Sequence, residues 1–357
     1  MKQLRVNTST HDYTISIDEH IRFKLTDFLT KKYSKILIIT DDQIAPLYLS
    51  DVYEGLQGED VVHTIIPSGE ATKSIEYYYQ LQTTALENRL DRHSLIIALG
   101  GGVIGDLSGF VASTFMRGID YIQMPTTILA HDSSVGGKVA INHELGKNLI
   151  GSFYPPVAVI YDVHMVQTLP EHEIRSGYAE LVKEAYISDE GFLKQLLSQP
   201  LTSISKNELM EHLYQGVKVK ANIVEQDEKE MDIRKFLNFG HTLAHAMEAS
   251  LGYGRVTHGE AVAIGMLFAL KVSEQVYQVD LQYHHLYTWL EKNNYPLSLF
   301  KIDIEKLIHL MKLDKKTLNK NIQFVLLKEI GEPTVYTMEE SYLKETLQLF
   351  KKELTDK

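Results

Sequence analysis

The chain has no cysteine, one tryptophan and nine prolines in 357 residues. Without thiols there can be no disulfide, no thiolate zinc site and no cysteine nucleophile, so any metal must be held by histidine and carboxylate side chains. Positive charge is scarce as well: 36 Lys and Arg stand against 47 Asp and Glu, a net charge of −11 with His neutral. A nucleic-acid partner, which needs a basic face for phosphate, is therefore not expected. Long apolar runs are missing too. The most apolar stretch, residues 261–270, is about half of the ~20 residues that span a bilayer and reads as a buried helix. No apolar h-region follows Met1-Lys2-Gln3-Leu4-Arg5, so neither a secretory signal nor a membrane partner is expected, and a cytoplasmic location is.

What remains is an ordinary globular composition, 44% hydrophobic and 23% charged, long enough for two domains that each bury a core. The first half alternates strand and helix signals. Ile36-Leu37-Ile38-Ile39, Val61-Val62-His63-Thr64-Ile65-Ile66, Ser94-Leu95-Ile96-Ile97-Ala98-Leu99, Tyr121-Ile122-Gln123-Met124 and Val157-Ala158-Val159-Ile160 read as strands, with a helix over residues 74–88. After about Pro170 helical periodicity takes over, at residues 173–188, 208–224, 243–250, 260–277 and 283–293. Only Gln323-Phe324-Val325-Leu326-Leu327 looks like a strand there. The expected fold is an α/β nucleotide-binding domain with a mostly parallel sheet (residues 1–170) and a mainly α-helical domain (residues 171–357).

Gly100-Gly101-Gly102-Val103-Ile104-Gly105-Asp106 follows a buried strand and opens a helix. Glycines there let the backbone approach a pyrophosphate, whose charge is met by helix N-terminal N–H groups. A plain strand-to-helix turn uses glycine as well, and no acidic residue ends the next strand in the usual way. Asp41, at the end of an earlier strand, could meet a ribose instead, and Glu70 and Lys73 are candidates for the cofactor's polar edge.

In the second half, Asn238-Phe239-Gly240-His241-Thr242-Leu243-Ala244-His245 is followed by His258-Gly259-Glu260. Two histidines four apart share a helix face and a third arrives after a turn, a pattern suited to Zn²⁺ and similar ions. His241 and His245 could bind one ion, or one could bind it while the other meets substrate. Glu180, in Ala179-Glu180-Leu181-Val182-Lys183, is a carboxylate on an apolar helix and a natural further ligand. Glu260 and Glu248 compete, more in keeping with supporting roles. Single lysines set among Ser, Thr and Gly recur in Asp132-Ser133-Ser134-Val135-Gly136-Gly137-Lys138 and Gly146-Lys147-Asn148-Leu149-Ile150-Gly151, and Lys220, Arg234 and Asp314-Lys315-Lys316 add cations. Such a set suits a phosphorylated, polyhydroxylated substrate held in a cleft.

Together these segments resemble the 3-dehydroquinate synthase family, in the family's order from about residue 36 to the Asp314-Lys315-Lys316 loop; Met116-Arg117-Gly118 and Pro125-Thr126-Thr127 belong to the match. The resemblance implies a dehydroquinate synthase-like fold, a homodimer, and conversion of a seven-carbon sugar phosphate to 3-dehydroquinate with release of phosphate. The cofactors it implies are catalytic NAD and a divalent ion, Zn²⁺ or Co²⁺. It also implies Glu180, His241 and His258 as metal ligands, which leaves His245 to substrate. The implied substrate set is Asp132, Lys138, Asn148, Lys183, Lys220, Arg234, Asn238 and His245, with Arg117 reaching the phosphate from the partner subunit and either Lys315 or Lys316 (Lys316 favoured) completing it. Implied NAD contacts are Asp41, Glu70, Lys73, Gly101, Gly102, Val103, Asp106, Thr126, Thr127, Lys147, Thr168, Leu169 and Glu173. Three departures stand out: a loop before Asp132 one residue short, Phe239 where Trp is common, and Gln43 where Asn is frequent. The rival readings are another sugar-phosphate cyclase and a metal-dependent polyol dehydrogenase.

Overall fold

The computed structural model describes residues 1–252, 254–313 and 322–355. Lys315 and Lys316 lie outside the described residues. Eleven strands and twelve α-helices follow one another along the described chain. The strands are β1 (Lys2–Val6), β2 (Tyr13–Asp18), β3 (Ile36–Asp41), β4 (Val61–Ile66), β5 (Leu95–Gly100), β6 (Asp120–Pro125), β7 (Lys138–His143), β8 (Gly146–Phe153), β9 (Ala158–Asp162), β10 (Ile322–Leu327) and β11 (Pro333–Met338). The helices are α1 (Ala45–Gly55), α2 (Ile75–Glu87), α3 (Gly102–Thr114), α4 (Ala130–Ser133), α5 (Glu171–Tyr186), α6 (Glu190–Leu197), α7 (Lys206–Gln226), α8 (His241–Leu251), α9 (His258–Tyr277), α10 (Tyr283–Lys292), α11 (Ile304–Leu313) and α12 (Glu340–Thr355). They form two compact units, residues 1–169 with 206–229, and residues 170–205 with 230–357.

The first unit is built on a seven-stranded sheet in the order β1-β2-β9-β6-β5-β3-β4. Every pairing in it is parallel except β1 with β2. Parallel strands are covered on both faces, which is why β3 and β5 are unbroken apolar runs. Their side chains alternate between two cores: Leu37, Ile39, Ile96 and Ala98 enter one, and Ile36, Ile38, Leu95, Ile97 and Leu99 the other. Pairing of Leu99 with Met124 and of Gly100 with Pro125 aligns the carboxyl ends of β5 and β6. Asp41, Gly101 and Thr126 therefore leave the sheet at one edge, the end where open α/β sheets hold ligands. Helix α7 packs on β1 and β2 of this unit.

The second unit holds α5, α6, α8 to α12 and the antiparallel pair β10–β11. Its inner helices cross at glycines. A Cβ on Gly265 of α9 would lie 2.0 Å from the Gly240 carbonyl oxygen, just ahead of α8, and one on Gly259 would lie 1.9 Å from the Ser176 carbonyl oxygen of α5. The absent side chains let the three backbones touch. A capping box closes the start of α9, with Thr257 accepting from the Glu260 N–H and Glu260 accepting in return.

Each strand or helix read from the sequence matches one of these elements to within a few residues, but α1, α6, α11, α12 and β7 have no counterpart in that reading, and α7, expected in the second domain, belongs to the first unit. The Gly146-Lys147-Asn148 segment, read as a loop, is the start of β8, paired with β7. The hairpin β1–β2 was not read, because its exposed outer face breaks the apolar run. A second strand, β11, joins β10; its half-exposed residues carry too weak an alternation to be seen. No described helix is long and apolar enough to cross a membrane.

Candidate functional site

Helix α5 is buried continuously from Ser176 to Tyr186, yet it carries two charges at its centre. Glu180 and Lys183, three residues apart on one face, are each only 1% exposed, with Nζ 2.5 Å from Oε2. Burying an ion pair costs several kcal/mol per ion unless further polar groups compensate. The compensation comes from the two neighbouring helices. His241 Nε2, at the first turn of α8, and His258 Nε2, at the first turn of α9, both stand 3.4 Å from Glu180 Oε1. One donor atom from each of Glu180, His241 and His258 falls within 4.8 Å of the other two. Neither carboxylate oxygen has an aligned hydrogen-bond donor.

The far side of each imidazole is held. His241 Nδ1 lies 3.2 Å from the Phe239 carbonyl and His258 Nδ1 lies 2.9 Å from Glu248 Oε2. Both partners only accept, so each Nδ1 carries a hydrogen, and each Nε2 faces Glu180 and can offer a lone pair to an ion once it holds no proton. Burial would raise the Glu180 pKa, but the Lys183 ammonium and the two imidazoles hold it well below the usual carboxylate range. Burial and the nearby Lys183 charge push His241 down to about 4. At His258, burial is outweighed by the Glu180 and Glu248 carboxylates, which push it up to about 10. Two imidazole nitrogens and a carboxylate oxygen on three helices can hold a borderline divalent ion. His245 stands beside this trio, its ring 5.5 Å from that of His241 and 5.9 Å from that of His258.

A second polar network forms in the first unit around the glycine turn. Gly101 is the N-cap of α3, and a Cβ there would meet Thr127 Cγ2 at 3.2 Å. Thr126 donates its N–H to the Gly100 carbonyl, and its buried hydroxyl has no partner. Gly102 and Val103 form the first turn of α3, and Asp106 on its second turn accepts from Lys73 Nζ at 2.5 Å. Burial raises the Asp106 pKa while Lys73 opposes it. Lys73 Nζ also donates to Asn148 Oδ1 at 2.5 Å. Asp41 accepts from the N–H groups of Gln43 and Ile44 at 3.0 and 2.9 Å, and burial raises its pKa.

The other sequence candidates are distributed as follows. Asp132, on α4, pairs with Lys220 of α7 at 2.8 Å. Lys138 is exposed at the start of β7, and Lys147 is half-buried on β8. Thr127 accepts from the Ala130 N–H, Thr168 bonds the Tyr48 hydroxyl at 2.7 Å, and Leu169 ends the turn that follows. In the second unit Arg234 is fully buried, Asn238 donates to Glu230 at 3.2 Å, and burial raises the pKa of Glu173. Arg117 is exposed at φ 72°, between Met116 at 47° and Gly118 at 118°. Three successive left-handed residues are costly for side chains other than glycine and hold the guanidinium at the tip of a tight turn. A further His/carboxylate group, Glu19, His20 and His164, has its carboxylate already paired with the Lys206 ammonium. Two residues escaped the sequence reading. Ser176, whose hydroxyl accepts from the Gly259 N–H at 3.0 Å, fixes α9 against α5. Asn142, a polar residue in the apolar alternation of β7, donates to Glu70 at 2.7 Å.

Comparison with known proteins gives the family. The sequence profile of the 3-dehydroquinate synthase N-terminal region matches residues 63–176, and that of the C-terminal region matches residues 177–317. The chain belongs to the 3-dehydroquinate synthase family. It is 57% identical over 352 residues to the 3-dehydroquinate synthase of Oceanobacillus iheyensis, covering 98% of both chains. Identity to that of Bacillus mycoides is 48% over 360 residues, covering 99% of this chain and 100% of the other. Among solved structures, 2-deoxy-scyllo-inosose synthase complexed with carbaglucose-6-phosphate, NAD⁺ and Co²⁺ superposes with a TM-score of 0.88 at 24% identity, covering 98% of this chain and all of that one. The 2-epi-5-epi-valiolone synthase of Streptomyces hygroscopicus, with NAD⁺ and Zn²⁺ bound, gives 0.85 at 21%, covering 98% and 99%. The fold of this chain is thus shared with both of these synthases.

Proposed function

We propose that this protein is a 3-dehydroquinate synthase of the shikimate pathway. It converts 3-deoxy-D-arabino-heptulosonate 7-phosphate (DAHP) to 3-dehydroquinate and inorganic phosphate, with NAD and a divalent ion as catalytic partners. The observation that carries the reading is the convergence of Glu180, His241 and His258 with both Nδ1 atoms tied back. Near full-length identity to 3-dehydroquinate synthases supports the substrate.

The residues fit both groups. A buried carboxylate whose Oε1 faces the Nε2 atoms of two imidazoles, with Lys183 on its Oε2 side, offers the nitrogen and oxygen ligands that suit a cation of the Zn²⁺ or Co²⁺ kind. The Gly101 cradle, which a side chain would fill, and the unpartnered Thr126 hydroxyl suit a dinucleotide at the start of α3. When bound, the ion polarises a substrate oxygen and the nicotinamide takes and returns a hydride.

The chain's own residues position and neutralise. Asp41, Glu70, Lys73, Gly101, Gly102, Val103, Asp106, Thr126, Thr127, Lys147, Thr168, Leu169 and Glu173 are assigned to NAD. Lys183 presents an ammonium beside Glu180, close enough to the ion's ligand to donate to a substrate oxygen. Lys138, Lys220, Arg234 and Asn148 offset and hydrogen-bond the substrate's phosphate and carboxylate charge, and Asp132 holds Lys220 in place. Lys316 is assigned to the same shell. His245 and Asn238 orient hydroxyls, and His245 can relay a proton. The departing phosphate can itself accept the neighbouring carbon's proton, so no strong protein base is needed.

The deciding assay follows phosphate release from DAHP together with nicotinamide absorbance. Phosphate should appear with no net NADH. Stoichiometric NADH with a polyol, and no phosphate, would make the protein a dehydrogenase instead.

In the same reading the enzyme is a cytoplasmic homodimer, and the exposed Arg117 serves the partner subunit's site. Arg117→Ala should retain metal but weaken substrate binding. Mixing Arg117→Ala subunits with His258→Ala subunits should restore about a quarter of wild-type activity, since half the dimers are mixed and each has one intact site. No recovery after subunit exchange would place Arg117 in its own subunit's site. The Glu248 carboxylate behind His258 is assigned a supporting role. Glu248→Gln keeps an acceptor but loses the charge, and metal affinity should fall by ~10-fold or more, as outer-shell losses do. Competition with a chromogenic chelator reads this, and unchanged affinity would remove Glu248 from the site.

A further inference from the structure

We propose that Asn142 is a positioning residue whose single amide ties Glu70 to Asn148 at the start of β8. The inference rests on the reading above, which gives Glu70 to the cofactor and Asn148 to the substrate. Three contacts carry it. Asn142 Nδ2 donates to Glu70 Oε1 at 2.7 Å, Asn142 Oδ1 accepts from the Asn148 N–H at 3.0 Å, and the Asn142 N–H donates to the Lys73 carbonyl at 2.8 Å. The orientation of the amide is fixed by chemistry. A carboxylate only accepts and a backbone N–H only donates, so a flipped amide would set like against like on both sides.

The backbone explains why this residue is free for the task. The β7–β8 ladder is irregular between Ile141 and His143. A bulge takes a residue out of the ladder and re-aims its side chain, and such sites favour functional positions. Asn142 sits at that break, and its N–H goes to Lys73 in place of β8. On the far side Asn148 adopts φ 55°, a left-handed conformation that asparagine tolerates when locally hydrogen-bonded. Its N–H is fixed by Asn142, and its side chain accepts from Lys73, which also holds Asp106. One amide thus stands at the centre of a closed network joining Glu70, Lys73, Asp106 and Asn148. An alanine would free Glu70 and Asn148 together.

The branches can be separated. Asn142→Asp keeps the acceptor for the Asn148 N–H but faces Glu70 with a second carboxylate. It should weaken NAD binding about tenfold, the loss of one charge-assisted hydrogen bond, with the KM for DAHP within about twofold of wild type. Asn142→Ala should raise both constants several-fold. The pair Asn142→Asp with Glu70→Gln exchanges donor and acceptor, so it should bind NAD no more weakly than Glu70→Gln alone. NAD affinity is read by quenching of protein fluorescence and KM by phosphate release. Asn142→Asp is nearly isosteric, so it serves even if the alanine variant does not fold. Wild-type NAD affinity in Asn142→Asp, while Glu70→Ala loses it, would overturn the proposal and leave the function standing. Unchanged NAD affinity in Glu70→Ala would sink the assignment of Glu70 and this proposal with it.

Discussion

Replacing His258 with alanine is expected to lower turnover on the order of 10³-fold, by removing one of the three proposed ligands of an ion that would contribute several kcal/mol to the reaction. NAD affinity should stay within about twofold, because His258 lies in the second compact unit and the assigned NAD network lies almost wholly in the first. The substitution isolates the ligand role cleanly. His258 is 32% exposed, and its removal leaves the Glu180–Lys183 pair intact. Glu180→Ala would be a poorer probe, since it strands the Lys183 ammonium in a helix core where an unpaired charge costs about 3–5 kcal/mol. Metal content after dialysis, cofactor affinity and phosphate release should be measured on one preparation. A variant with full metal content and wild-type turnover would reject His258 as a ligand.

The same residues show how much was legible in the sequence. The central strands could be read because parallel strands buried on both faces become unbroken aliphatic runs, as in β3 and β5. In the second unit α5, α8, α9 and α10 were visible through their helical pattern, while α6, α11 and α12 were not; α9 declared itself by twelve apolar or glycine positions among its buried residues, which also include Glu260 and Ser273. The ligand triad was only half legible. Spacing put His241 and His245 on one helix face and could not decide between them. The proposed choice rests on what lies behind each ring: the Phe239 carbonyl, two residues away, meets Nδ1 of His241, while Glu248 of α8 meets Nδ1 of His258 on α9, a contact between helices that spacing does not show. Glu180 could be suspected as a carboxylate in an apolar helix, but its partners His241 and His258 are some 60 and 80 residues away along the chain. Asn142 was missed for a related reason. Its role comes from a bulge, and one polar residue in a strand gives no sign of where its amide points.

The second large effect should come from a residue with no chemistry. Gly265→Ala is expected to destabilise the protein by about 3 kcal/mol or more, at or beyond the upper end of the usual ~1–3 kcal/mol for overpacking, because the contact is backbone and cannot relax locally. The added Cβ would lie 2.0 Å from the Gly240 carbonyl oxygen and 2.9 Å from its carbon, which is backbone and cannot rotate away. Gly240 cannot yield either. It holds φ 82° as the N-cap of α8, and a Cβ on it would meet the Met266 N–H nitrogen at 2.8 Å. The two glycines therefore set the spacing of α8 and α9 from both sides, one residue before His241 and seven after His258. Any shift that admits a methyl group moves one imidazole away from the other. In whatever fraction remains folded, metal affinity should fall with stability, although no ligand has been touched. Gly58 supplies the contrast: its φ is 93°, but a Cβ there meets nothing within 4 Å. Gly58→Ala should lose only the ~1 kcal/mol of left-handed strain and keep the metal. Urea denaturation of both variants, with metal content measured alongside, tests the pair; a Gly265→Ala protein as stable as Gly58→Ala and fully metallated would show that this crossing does not hold the triad together.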